Sequence, residues 1–360
     1  MKKFKHLLLC FSTLILINSC KKATDVIAPT PTPIVAIDAP IAPPPAFGFY
    51  VVGYFPTYRL LADVPDVKFK MCNVINYAFA RINSAGTLNN FTTTESNHLS
   101  SVKDKAKSLG AKVFISISGL ATDFKTMGTT VAGRTTFINQ SLAIVRNYNL
   151  DGIDVDWEFP RTDDGTDVMY TAFMKQLSDS CHRGSKYYLT AAITAGRYVG
   201  AVRDAISSEL WVGNYVDWFN IMSYDDFTTN PLIPYQHHCN LVLANTSMDY
   251  WVTNRGMPAS KAVLGIAGYG RPSGMTQLNT VLSMNAILAQ GGNLMSDSAV
   301  VSAAGFSNYT VYYNGVTTVK KKAMLAKQKG NGIMLWEKSQ DTHGAFSLLK
   351  AVCDTIGRAY

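Results

Sequence analysis

Asp154, Asp156 and Glu158 stand two residues apart and alternate with Ile153, Val155 and Trp157 in the run from Leu150 to Pro160. Successive side chains of a strand point to opposite faces. This spacing therefore puts all three acids on one face and returns the large apolar residues to the other. Like charges crowded on one side of a strand are costly unless some stay protonated or are tied into hydrogen bonds. Carboxylates kept in such surroundings have a tuned acidity, and the chemistry that uses a tuned carboxylate is general acid–base catalysis.

Two other uses of an acid-rich run fail here. A calcium-binding loop needs glycine at its sixth position and glutamate at its twelfth. Counted from Asp154 those positions hold Phe159 and Gly165, and counted from Asp151 they hold Asp156 and Thr162. A solvated turn would not alternate with Ile153, Val155 and Trp157. The run is expected to be a catalytic strand, and neither a metal nor a cofactor is expected beside it.

The elements that must position these acids lie in a chain of 360 residues, 47% of them hydrophobic and 16% charged, which is ample for a large core. Residues 1–19 stand apart from it. They open with Met1-Lys2-Lys3-Phe4-Lys5 and continue through a short apolar run, Leu7 to Ile17, interrupted by Ser12 and Thr13. The run is too short to span a bilayer as a permanent helix and reads as a signal peptide. It ends Ile17-Asn18-Ser19-Cys20, which resembles a bacterial lipobox, where Cys20 is lipidated and becomes the first residue. The alternative is an ordinary signal peptide cut near Ser19. Residues 20–46 are rich in Pro, Ala and Thr, hold no hydrophobic period, and read as an extended tether between membrane and domain. The expected location is the bacterial cell envelope, as an outer-membrane or cell-surface lipoprotein that meets the membrane through its lipid anchor only.

The formal net charge is +8, and cleavage before Cys20 would remove Lys2, Lys3 and Lys5. The remaining basic residues are dispersed. Lys320-Lys321-Lys322 falls in an amphipathic helical pattern and is expected to be a solvated face. No interleaving of aromatic and basic residues suggests nucleic acid, and a monomer is expected. Cys72, Cys181, Cys239 and Cys353 are widely spaced and match no metal pattern. After export they could pair, in a connectivity the spacing leaves open, or remain buried thiols.

From residue 47 to 360, short apolar runs rich in β-formers alternate with helical stretches. The strand candidates are Phe49–Phe55, Val74–Ala80, Lys112–Ser118, Gly152–Glu158, Tyr187–Thr194, Trp218–Tyr224, Ala262–Gly268 and Gly332–Trp336. Between them Asn97–Ser108, Arg134–Tyr148, Met169–Ser180, Asn240–Thr253 and Lys320–Lys329 have helical period. Such alternation argues a parallel sheet buried on both faces, and the number of units predicts an α/β fold, a (β/α)8 TIM barrel. The other candidate, a doubly wound sheet, would want a glycine-rich phosphate loop after its first strand, and Gly53-Tyr54-Phe55-Pro56 is not one. In such barrels the site lies at the C-terminal ends of the strands. Those ends hold Glu158 together with Tyr54, Phe79, Ser118, Tyr224, Asp225, Tyr269, Arg271 and Trp336. One acid, several hydrogen-bonding groups and a ring of aromatics around one mouth suit a carbohydrate, whose apolar face stacks on rings while polar groups fix its hydroxyls.

At this point the run Asp151-Gly152-Ile153-Asp154-Val155-Asp156-Trp157-Glu158 resembles, in every acidic position, the signature of family 18 glycoside hydrolases, the chitinases and their relatives. Tyr77-Ala78-Phe79 is similar to that family's second strand, and Met222-Ser223-Tyr224-Asp225 to its sixth. Tyr269-Gly270-Arg271 is similar to the end of the seventh, and Gly332-Ile333-Met334-Leu335-Trp336-Glu337 to the eighth. The resemblance implies substrate-assisted hydrolysis, in which the carbonyl oxygen of the substrate's own N-acetyl group attacks the anomeric carbon. It implies that Glu158 protonates the leaving oxygen and later activates water. Asp156 would accept the acetamide N–H, Asp154 would share a proton with Asp156, and Tyr224 would donate to the attacking carbonyl. It further implies a substrate-binding set: Asp225 holds the distorted sugar, Trp336 forms its floor, Tyr269 and Arg271 line the wall, and Tyr54, Phe79, Met222 and Met334 complete the site. Asp151, of opposite strand parity, is expected to support backbone.

Two departures bear on the substrate. The family's third strand commonly ends in a glycine pair followed by an aromatic, whereas this chain reads Ser116-Ile117-Ser118-Gly119-Leu120, so an aromatic platform on the leaving-group side is expected to be missing. Only about 45 residues separate Arg271 from Val316, so the insertion after the seventh strand is expected to be small or absent, with Thr276–Gln290 helical. The implied partner is an oligo- or polysaccharide containing N-acetylglucosamine, cut at β-1,4 bonds as chitinases do. The alternatives are an endo-β-N-acetylglucosaminidase acting on N-glycans and a non-catalytic, chitin-binding lectin-like protein.

Overall fold

The computed structural model describes residues 39–226, 237–272 and 280–360. The signal segment 1–19, the lipidation candidate Cys20 and the tether through residue 38 lie outside the described residues. Among the described residues no helix is long and apolar enough to cross a membrane.

The chain runs through β1 (Tyr50–Pro56), β2 (Val74–Arg81), β3 (Lys112–Ser118), β4 (Gly152–Asp156), β5 (Tyr188–Thr194), β6 (Trp218–Met222) and β7 (Ala262–Ala267). There follow four short strands, β8 (Tyr269–Pro272), β9 (Leu282–Ser283), β10 (Ser298–Ala303) and β11 (Phe306–Tyr312), and finally β12 (Gly332–Trp336). The strands β1-β12-β7-β6-β5-β4-β3-β2 close a barrel in that order, and the pairs are parallel. This is the (β/α)8 barrel expected from the alternation of apolar runs and helices.

Both faces of the strands are buried, which is why they read as near-continuous apolar runs. Outward residues such as Ile153, Val155 and Trp157 join the core between barrel and helices, where Phe124 stacks on Trp157 at 4.9 Å. Inward residues near the N-terminal end form a second cluster around Tyr50, Phe114, Tyr188 and Trp218, with Tyr50 stacked on Trp218 at 4.1 Å. The barrel is thus filled by aromatics at its bottom, which leaves its C-terminal mouth for polar chemistry.

Several boundaries differ from the sequence reading. β4 stops at Asp156 and not at Glu158, because its neighbour β3 ends at Ser118, the partner of Asp156, so the ladder has nothing further to bond. β6 likewise stops at Met222, which leaves Ser223 and Tyr224 beyond it. Helices begin ahead of their apolar period because the caps lie outside it. Thr92 and Glu95 form a capping box on Thr93–Ser108, and Thr130 caps Val131–Asn147. The insertion is small but present: β8–β11 form an antiparallel sheet in the order β10-β11-β8-β9. Of the expected helix Thr276–Gln290, residues 276–279 lie outside the described residues, and the rest holds β9 and a short helix, Met284–Ala289, capped by Ser283.

Lys322 also departs from expectation. The helix Val316–Lys329 turns it inward, fully buried, with Nζ donating to the Cys239 carbonyl at 2.7 Å. The basic run Lys320–Lys322 is therefore not a uniformly solvated face. Cys72, Cys181, Cys239 and Cys353 are all buried free thiols.

Candidate active site

The mouth of the barrel encloses a cavity of about 420 Å³ whose lining includes Tyr54, Phe79, Asp156, Glu158, Tyr224, Asp225 and Trp336. The strand alternation seen in sequence places the acids here. Asp154 and Asp156 point into the barrel, and Glu158 follows at the rim with its side chain open to solvent.

Asp154 lies deepest and is completely buried. Tyr54 Oη (2.6 Å) and Ser116 Oγ (2.7 Å) donate to its Oδ2, while Thr190 Oγ1 (2.6 Å) and Asn220 Nδ2 (3.1 Å) donate to its Oδ1. Burial raises its pKa, although these hydrogen bonds pull the other way. With both oxygens engaged by donors from β1, β3, β5 and β6, no hydrogen bond joins Asp154 to Asp156 among the described residues.

Asp156 is buried, yet its Oδ1 has no hydrogen-bond partner among the described residues. An unpaired buried acceptor is costly, so an oxygen left in that state beside a cavity is free to meet a donor that arrives with a ligand. Burial pushes the Asp156 pKa well above the ordinary carboxylate value, helped by the charges of Glu158 and Asp154 and opposed by Arg81. Glu158 is raised as well, by the surrounding protein first and by Asp225 second, again against Arg81. Because Glu158 is exposed to solvent at the rim, burial acts on it less than on Asp156. Neighbouring carboxylates disfavour each other's ionisation, so the pair holds a proton to higher pH than an isolated carboxylate would.

Arg81 was missed in the sequence, for a reason visible in the register. Ala78 pairs with Ser116, but Ala80 pairs with Ile117 and Arg81 with Ser118, so Phe79 is a bulge. The extra residue re-aims the strand end, and both Phe79 and Arg81 reach the mouth. The Arg81 guanidinium lies 4.7 Å from the Phe79 ring centroid, and Phe79 in turn stacks on Trp336 at 5.6 Å.

Tyr224 follows β6 and packs over Gly265 of β7. A Cβ at Gly265 would meet Tyr224 Cε1 at 2.9 Å and the Ile221 carbonyl oxygen at 2.4 Å, so this close approach requires glycine. Burial and the surrounding carboxylates raise the Tyr224 pKa well above its ordinary value, and the hydroxyl stays a donor. Its present contact is Met334 Sδ, at 3.7 Å. Asp225 adopts a left-handed φ of 54° and is gripped from behind by Arg271, whose Nε lies 2.8 Å from Oδ1 and whose Nη2 donates to Oδ2 at 3.2 Å. Burial raises its pKa, but the partners His238 and Arg271 outweigh that and hold it below the ordinary value.

Of the expected substrate-contacting residues, Tyr54, Phe79, Met222, Asp225 and Trp336 line the cavity. Tyr269, Arg271 and Met334 do not. Tyr269 is buried behind Tyr224 (ring centroids 6.5 Å apart), Arg271 is occupied with Asp225, and Met334 is fully buried under Tyr224. They are the backing of the wall, because the insertion sheet carries Tyr269 and Arg271 past the mouth. Asp151 supports backbone as expected, with Oδ2 accepting from Val113 N at 2.8 Å. Lining residues that went unread include Arg81, Phe159, Thr194, Arg197, Tyr198 and Asp226. The paired Arg197 and Asp226 follow β5 and β6, and only their positions just past a strand end could have marked them.

Comparison with known proteins agrees with this geometry. The chain is 26% identical over 286 residues to endochitinase 1 of the fungus Metarhizium robertsii, covering 68% of this chain and 65% of that protein. It is 27% identical over 322 residues to mouse chitotriosidase-1, covering 75% of this chain and 67% of that one. The match thus spans about two thirds of the length of these curated relatives. Among solved structures, a chitinase from the chitin utilization locus of Flavobacterium johnsoniae superposes with a TM-score of 0.66 at 27% identity, covering 86% of this chain and 94% of that one. Residues 50–341 match the family described as Glycosyl hydrolases family 18, and the chain belongs to that family.

Proposed function

We propose that this protein hydrolyses β-1,4 glycosidic bonds of glycans containing N-acetylglucosamine, with retention and with assistance from the substrate. The observation that carries the reading is the unpartnered, buried Oδ1 of Asp156 beside Glu158 in the cavity. An acetamide N–H donating to that oxygen stabilises Asp156 as a carboxylate and leaves the shared proton on Glu158. Glu158 then gives that proton to the glycosidic oxygen while the acetamide carbonyl oxygen bonds to the anomeric carbon and the carbon–oxygen bond to the leaving sugar breaks. The protonated Tyr224 hydroxyl can turn from Met334 to the carbonyl oxygen. In the second step Glu158 takes a proton from water, whose oxygen bonds to the anomeric carbon from the face the leaving sugar left, while the bond between that carbon and the acetamide oxygen breaks and the N-acetyl group is restored. Trp336 and Phe79 supply flat apolar area for the sugar.

The names of the relatives favour a chitin-type substrate. The exposed Leu120, standing where the family carries an aromatic, favours short or branched chains over long ones. Product profiles on chito-oligosaccharides and on a high-mannose glycopeptide test this. Cleavage of the oligosaccharides alone is expected, cleavage of the glycopeptide alone would make the protein an endo-β-N-acetylglucosaminidase, and binding without cleavage of either would make it lectin-like.

We also infer export as a lipoprotein, from Ile17-Asn18-Ser19-Cys20 and the proline-rich tether. Cys20→Ala is expected to move the protein from the membrane to the soluble fraction. A wild-type protein already soluble would contradict the anchor.

A further inference from the structure

His238 takes no place in the cavity lining, yet it is almost completely buried directly behind Asp225. Its Nε2 lies 3.3 Å from Cys239 Sγ, and its Nδ1 lies 3.3 Å from Asp225 Oδ1. The ring stacks on Tyr269 with centroids 5.4 Å apart and planes at 28°. The same Nδ1 is also 3.3 Å from the Asp225 backbone N. One nitrogen cannot donate to the carboxylate and accept from the amide at once, so Nδ1 is either protonated and bonded to Asp225 or bare and bonded to the amide, and an imidazolium allows only the first.

We propose that His238, with Cys239 as its counter-group, is a positioning residue that fixes the orientation and charge of Asp225. This deepens the glycosidase reading above and rests on it. Asp225 sits in a left-handed backbone conformation, unusual for a residue with a side chain, so neighbours must hold it there. Arg271 grips it from the insertion sheet and His238 from the loop that follows β6. The described residues around His238 are themselves tied: the Asp226 amide donates to the His238 carbonyl (3.0 Å), the Cys239 amide to His237 Nδ1 (3.2 Å), and Lys322 Nζ to the Cys239 carbonyl (2.7 Å). A buried thiol with no access to the cavity has no substrate to attack. What it offers is a negative charge against the far side of the ring.

The groups facing the pair are Asp225, Arg271, Tyr269, Tyr224, His237, Asp226 with its partner Arg197, and Lys322. Burial favours the neutral forms of both members. The mutual attraction outweighs it, joined by Asp225 at the ring and by His237 at the sulfur, raising His238 to about 9 and lowering Cys239 to about 6. Between those values the ring is an imidazolium that donates to Asp225. Above about 9 it becomes neutral and Asp225 loses a cation. With the thiolate removed, that loss moves down towards the ordinary histidine range.

The test joins nitrogen NMR of the His238 ring to the pH dependence of kcat/KM on chito-oligosaccharides, for wild type, Cys239→Ser, His238→Gln, Asp225→Asn and the double variant His238→Gln/Asp225→Asn. The ring is expected to stay an imidazolium at pH 8 in the wild type and to be neutral there in Cys239→Ser, whose alkaline limb shifts to lower pH. His238→Gln should lower kcat/KM by about ten- to a hundredfold, the worth of one hydrogen bond to a charged group. The double variant should lose little more than Asp225→Asn alone, because His238 acts through Asp225. A neutral ring at pH 7 in the wild type, or fully additive losses in the double variant, would overturn the proposal. A wild-type protein that cleaves nothing would sink the hydrolase reading instead, and the ring's titration in wild type against Asp225→Asn would still decide whether the two residues are coupled.

Discussion

Glu158→Gln is expected to leave the fold intact and to lower kcat by at least about 10²–10⁴, the usual contribution of a positioned acid, or about 3–5 kcal/mol of barrier. Glu158 is past the end of β4 and exposed at the rim, so removing its charge disturbs no buried network. Glutamine keeps the shape and loses the transferable proton. The pH dependence is the second half of the expectation. The surrounding protein and Asp225 raise the Glu158 pKa, so the acid form persists above the range in which an ordinary glutamate ionises. Activity should fall as pH rises through this raised value, which puts the acid on the alkaline limb. Removing Arg81, the cation opposing the shift, should move that limb higher still. Steady-state kinetics with a circular dichroism control checks both halves. A Gln variant keeping half of the activity would remove Glu158 from the role.

Asp156→Asn is expected to cost at least about 10² in kcat, comparable to losing one preorganised group at a charge that develops in the transition state. Asparagine is nearly isosteric, but it cannot be the charged acceptor that the acetamide N–H meets at Oδ1. It also takes away the carboxylate with which Glu158 shares its proton. The mechanism makes companion demands on the wild type. Products should keep the β configuration, and a fully deacetylated glucosamine polymer should not be cleaved. A thiazoline should inhibit competitively, since the site is complementary to the cyclised species and not to the resting sugar. Inhibition should weaken in Asp156→Asn alongside turnover. Hydrolysis of glucosamine-only chains at comparable rates, or inversion at the anomeric carbon, would defeat the assignment and leave the barrel standing.

The insertion after β7 illustrates how a short segment serves the site. It is too small to wall a deep cleft, yet β8 carries Tyr269 and Arg271 behind the mouth, where its pairing with β11 fixes Arg271 opposite Tyr312. Arg271 then meets Asp225 in two contacts. The insertion supports the site from the outside, and none of its described residues lines the cavity.

The barrel and the acid row were legible in the sequence because both follow from period-two alternation, which is a local property of the chain. Once Ile153, Val155 and Trp157 must face the helices, Asp154 and Asp156 must face the barrel interior and Glu158 its mouth, and no knowledge of the neighbouring strands is needed. Eight apolar runs separated by helices similarly leave few architectures. What surrounds those acids was decided by register, which is not local. Asp154 is saturated by residues that are 100, 38, 36 and 66 positions away along the chain, and nothing in the motif names them. The bulge at Phe79 shifts Arg81 onto the site face, and a bulge cannot be read from one strand because it is a mismatch between two. Tyr269 and Arg271 follow a barrel strand as lining residues do but sit behind them, because the insertion sheet folds back through pairings its own residues do not announce. Alternation chose the face of each side chain, and closure of the barrel chose its partners, because hydrogen bonds and charge couplings depend on distances across strands that sequence spacing does not contain.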